Sequence, residues 1–164
     1  MRSTMKMKLL ALLPLIALAA QAQDATEAPA NTRALHTVVG VGLQIYACAD
    51  DGKWTLQEPQ ADLMDAASHQ PVGKHSKGPT WTWNDGSVVT GKVLQQRPSP
   101  GSIPWLLLEA HSSGAAGALS GVTFVRRSDT QGGVPQPTNI CGAQNVGSTI
   151  NVPYQAIYTF YAAQ

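Results

Sequence analysis

A strict two-residue period near the C-terminus narrows the folds open to this chain more than any other stretch. Ile150, Val152, Tyr154, Ala156, Tyr158 and Phe160 fall on one face, and Thr149, Asn151, Gln155 and Thr159 on the other. Successive side chains of a strand point to opposite sides, so the pattern predicts a long half-buried strand. Pro153 has no N–H to offer a neighbour and should sit at an edge position or a bulge. The rest of the chain reads in the same way. In residues 38–48, Leu43, Ile45 and Ala47 alternate with Gln44, Tyr46 and Cys48; the turn Asp50-Asp51-Gly52 then predicts a hairpin whose return strand starts at Trp54. Short strands are expected at 61–64 and 71–73, around a polar turn at 66–70. Gly91, in the middle of the strand-like run 87–96, predicts a bulge or bend there. The run PWLLLEAH, residues 104–111, predicts a strand covered on both faces, with Trp105 in the core and Trp54 assigned there too. Residues 122–127 form a further strand, and 128–144 a long Gly/Pro/Gln connection pinned by Cys141. About eight strand-like runs with no helical pattern in the body of the chain predict an all-β fold, an antiparallel β-sandwich or barrel.

The N-terminus has a different character. Arg2, Lys6 and Lys8 precede the apolar run LLALLPLIALAA and the small-residue pattern Ala20-Gln21-Ala22, which predicts a signal peptide over residues 1–22. The run is too short to span a bilayer. Residues 23–37 are Ala-rich and polar without a sustained period, and are expected to be a flexible leader; residues 38–164 then form a single all-β domain, secreted or periplasmic, with no membrane span. Removing the three basic residues takes the formal charge from +1 to −2. Nucleic-acid partners call for clustered Lys and Arg and are not expected. The only basic doublet, Arg126-Arg127, reads as a strand end with one or both side chains in solvent. In an oxidising compartment Cys48 and Cys141 are expected to pair, which on a chain-entropy argument contributes about 4–5 kcal/mol.

The stretch HSKGPTWTWNDGS, residues 75–87, gathers the densest chemistry in the chain. Trp81 and Trp83 are two apart and would share a strand face. They could form a stacking platform with His75, Asn84 and Asp85 at its edge, or bury at least one indole in the core. His75, Asp85 and Ser87 are the residue types of a hydrolytic triad, but Asp-Gly-Ser is also an ordinary turn exit, and no nucleophile-elbow motif is present. A metal site would have to be assembled across strands, with His75, His111 and Asp85 as its weak candidates. No motif indicates a cofactor. Pro79 biases Gly78 toward extended or glycine-only backbone and so fixes a corner between His75 and Trp81.

The series GLQIYAC, GKHSKGPTW, DGS, IPWLLL, the Gly-Gly and Pro pattern of residues 132–137, the lone Cys141 and VPYQAIYTFY resembles a secreted family of unknown function found in bacteria and fungi. The resemblance implies export and a compact domain, and brings no activity with it. The residues themselves favour a module that binds a small molecule, a glycan or an envelope protein through the 75–85 region. A hydrolase or metal-dependent enzyme built on His75 and Asp85 stands second, and a structural cell-envelope interaction domain third.

Overall fold

A computed structural model describes residues 24–164. The expected signal peptide lies outside the described residues. Eight strands follow one another in chain order: β1 (Thr32–Cys48), β2 (Trp54–Asp65), β3 (Pro71–Ser76), β4 (Thr80–Trp83), β5 (Ser87–Ser99), β6 (Ser102–Gly114), β7 (Val122–Gly132) and β8 (Thr149–Ala163). Each pairs antiparallel with the next, and β8 returns to pair with β1, so the sheet closes into an up-and-down barrel. Of the two architectures expected, the barrel is the one adopted. Closure leaves few strand edges to template aggregation.

The elements run longer than their local patterns suggest. β1 starts at Thr32, so residues 32–37, expected to be flexible leader, are strand paired with the end of β8. The strands expected at residues 54–57 and 61–64 are one strand, β2, continuous along β1 apart from a register shift that skips Gln57. Asp51-Gly52 does turn the chain between β1 and β2, with Gly52 at a positive φ of 77°. Gly91 makes no bulge: β5 slips register between Val93 and Gln95 instead. A Cβ on Gly91 would lie 3.1 Å from the Trp81 ring and 3.1 Å from the Leu108 side chain, so the glycine makes room for the indole.

β8 obeys its period, burying Tyr154, Ala156, Tyr158 and Phe160 in the barrel. The Pro153 carbonyl accepts the Gly133 N–H (2.9 Å). The missing Pro153 N–H would point the same way, just beyond the end of β7, where no ladder is interrupted. Leu106, Leu107 and Leu108 are all buried, so the strand is covered on both sides as expected. Trp105, expected in the core, instead lies half-buried on the outer wall, with the Arg97 guanidinium 3.8 Å from its ring centre. Trp54 is also only half-buried; its indole N–H donates to the Asn139 carbonyl (2.8 Å).

The connection after β7 is pinned as Cys141 suggested. Cys48 and Cys141 are bridged across 93 residues, with Cα atoms 5.4 Å apart. Tyr46 donates to the Gly133 carbonyl (2.7 Å) and Gly147 N–H to the Cys48 carbonyl (2.8 Å), which ties the loop down at both ends. Among the described residues no helix is long and apolar enough to cross a membrane. Replacing both cysteines by serine should lower unfolding stability by about 2–5 kcal/mol in urea titrations, toward the upper end for so long a loop, without changing the strand content seen by circular dichroism.

Candidate functional site

The short β3–β4 hairpin shapes the site. β3 pairs only with residues 61–64 of β2, and β4 only with residues 88–90 of β5. Both outer strands continue well past the hairpin tip, β2 back to Trp54 and β5 on to Ser99. The ring is complete at the level of His75 and notched above it. Leu56 and Val93, 48% and 45% exposed, stand on the two sides, and Gly78-Pro79 forms the sill. Gly78 takes a φ of 75°, the glycine-only conformation its place before Pro79 allows. Pro59, on the unpaired side of β2, has no N–H to offer a passing strand.

Behind the notch lies a cavity of about 280 Å³. Its inner wall is built from inward-pointing residues of five strands: Gln44 (β1), His75 (β3), Trp81 (β4), Arg127 (β7) and Tyr158 (β8), with Leu106 and Leu108 of β6 supplying apolar surface. His75 and Trp81 sit directly opposite in the β3–β4 ladder and stack, ring centres 4.6 Å apart and 8° from parallel. Tyr158 and Phe160 meet the Trp81 ring edge-on, at 5.7 and 5.9 Å. Contacts of this kind contribute about 0.5–1.5 kcal/mol each beyond the area they bury.

The polar groups of the wall are unevenly satisfied. The Thr80 carbonyl can only accept, so His75 Nδ1, 2.9 Å away, carries the proton and Nε2 is left as an acceptor. His75 is 4% exposed, and burial, with a smaller push from the Arg127 charge, lowers its pKa to about 4. Tyr158 and Tyr154 share a hydroxyl contact of 3.2 Å, and burial raises both phenols above their ordinary range. Gln44 and Trp81 are each 1% exposed, yet Gln44 Nε2 and Trp81 Nε1 have no hydrogen-bond partner among the described residues.

The residues singled out by sequence therefore divide. His75 and Trp81 are in the cavity. Trp83 is buried one step further down the barrel, against Phe160 (5.4 Å) and His36 (5.6 Å), so no two-indole platform forms at the surface. Asn84 and Asp85 belong to the turn at the far end of β4 from the notch. Asn84 donates to the Pro71 carbonyl (3.0 Å). The Asp85 carboxylate accepts from the Ser87 hydroxyl (2.6 Å), the Ala118 N–H (2.7 Å) and the Ser87 N–H (2.9 Å), bonds that hold it below the usual carboxylate range. Ser87 Oγ in turn accepts from Leu119 N–H (3.1 Å). Asp85 and Ser87 thus latch the β4–β5 turn to the β6–β7 loop, and no relay joins them to His75. His111 is exposed on the outer wall while His75 faces inward, so the two cannot share an ion. Among the described residues no three His, Cys, Asp or Glu side chains group as metal ligands.

Sequence reasoning missed Gln44 and Arg127. Gln44 belongs to the even-numbered face of β1, which turns inward with Tyr46 and Cys48. Arg127 lines the cavity, and its neighbour Arg126 is held by Asp24 and Glu27 on the outer wall, so neither is the free strand end expected. The clue available was the alternation Gln44-Tyr46-Cys48, a polar side chain sharing a face with residues that must be buried.

The buried neutral His75 makes stability depend on pH. Unfolded, it binds a proton near 6.5; folded, only near 4. Its contribution is therefore present above the unfolded value and lost as pH falls from there toward 4. Linkage predicts roughly 2 kcal/mol lower unfolding free energy at pH 5 than at pH 7, and His75→Gln should flatten that slope in paired urea titrations.

The family model described as Protein of unknown function (DUF3455) matches residues 29–162. No curated protein and no solved structure matches the chain. The chain belongs to that family of unknown function.

Proposed function

We propose that this member of the family binds a small molecule inside the barrel, with His75 and Trp81 at the base of the site and the notch between β2 and β5 as its way in. The observation that carries the reading is the pair of unpartnered buried donors, Gln44 Nε2 and Trp81 Nε1, on the wall of a cavity that also holds Arg127 and whose surface is mostly apolar. A buried polar group without a partner costs about 1–3 kcal/mol. A fold that keeps two of them at one cavity is suited to a ligand that supplies the acceptors. Small-molecule sites have this composition, mostly apolar with a few fixed polar groups. The bridge between Cys48 and Cys141 supports an oxidising, secreted or periplasmic setting for that binding.

Gln44→Leu provides the test. It replaces an unpaired buried amide with apolar volume, so the free protein should be at least as stable as the wild type. In a thermal-shift screen of small carboxylates, alcohols and glycans, the wild type should gain about 2.7 kcal/mol at a hundredfold excess over the dissociation constant, and the variant should lose that gain. A wild type that responds to nothing in the screen would sink the reading in favour of a protein partner.

A further inference from the structure

Arg127 brings a full positive charge to the cavity, and no ion pair among the described residues meets it. Its Nε and Nη2 both donate to the Pro104 carbonyl (3.0 and 2.9 Å). Among the described residues the ion pairs are Lys53–Asp51, Lys74–Asp62, and Asp24 and Glu27 with Arg97 and Arg126; none involves Arg127. The contrast with Arg126 is informative, because adjacent arginines on opposite sides of one strand are treated differently: the outer one is met by two carboxylates and the inner one by none. Glu58 is the one carboxylate among the cavity-lining residues; it accepts from Gln60 Nε2 (3.1 Å). His75 stays neutral at pH 7, and burial keeps the Tyr46, Tyr154 and Tyr158 phenols protonated, so none of them offers a counter-charge. A partly buried charge that meets only neutral oxygen and no counter-charge is costly, and a bound anion would offset it.

Resting on the reading of the cavity as a binding site, we infer that its ligand is a small monocarboxylate with an apolar tail. The head meets Arg127 and the unpaired N–H groups of Gln44 and Trp81, and the tail runs along Leu108 and out between Leu56 and Val93. A planar guanidinium and two neutral N–H donors suit a carboxylate. A single formal charge suits a monoanion better than a phosphate dianion.

Calorimetric titration of the full chain at pH 7 with octanoate and octanol, together with a carboxylate series from butanoate to dodecanoate, tests the assignment. Octanoate should bind about tenfold or more tightly than octanol, Arg127→Gln should abolish that preference, and Arg127→Lys should keep part of it. The wild-type comparison decides the matter even if a variant fails to fold. Octanol binding as tightly as octanoate would overturn the carboxylate assignment and leave the cavity reading standing. Absence of binding by octanol and by every member of the series would overturn both.

Discussion

Everything in this molecule depends on the ladder between β1 and β8. The first and last strands pair from Thr32 with Ala163 to Ala47 with Thr149, the longest register in the sheet. That closure gives the outermost strands partners on both sides, and it turns one face of every strand toward a common interior. The interior must then be filled. A column of rings does this, from His75 and Trp81 through Tyr158 and Phe160 to Trp83 and His36. Small residues set its spacing: a Cβ on Gly40 would come 2.6 Å from the Tyr158 ring, so β1 needs glycine where the tyrosine crosses it.

Closure is incomplete in one place. A hairpin as short as β3–β4 cannot accompany β2 and β5 to their ends, and the wall opens where it stops. The two ends of the interior consequently differ. Toward Trp83 and Phe160 the rings pack against each other and against Val125 and Leu119, with polar groups such as Ser87 and Asp85 used to tie loops together. Toward the notch the same barrel holds an amide, an indole N–H and a guanidinium around the cavity. Filling that volume with leucine would have made a tighter core. Polar groups retained at such a place do not serve stability, since an unsatisfied buried donor is a cost the fold carries without structural return.

Structure outside the barrel follows from what the barrel leaves exposed. The loop after β7 reaches over the notched end and is held there by the Cys48–Cys141 bridge and by hydrogen bonds to Tyr46 and Trp54. On the outer wall, Trp105 lies under the Arg97 and Arg126 guanidiniums, and both arginines bind Asp24. The segment that precedes β1 is fastened by this group of charges, although its composition gives no sign of order. Alanine-rich polar sequence has no hydrophobic period to announce a contact. The arginines that capture it lie far away in the chain.

Local pattern in the sequence determined the strand content, the two-residue period of β8, the Asp51-Gly52 hairpin, the corner at Gly78-Pro79 and the pairing of two cysteines in a chain with no others. The first four depend on a residue's own backbone preferences or on its immediate neighbours; the last follows from the cysteine count. Only the tertiary structure decided that the sheet closes on itself, that Trp105 faces outward while Gln44 and Arg127 face inward, and that His75 parts company with Asp85. Each of those outcomes is set by which strand lies beside which and in what register. A one-residue change of register would exchange the two faces of a strand, and no local pattern carries that information where both faces hold apolar residues.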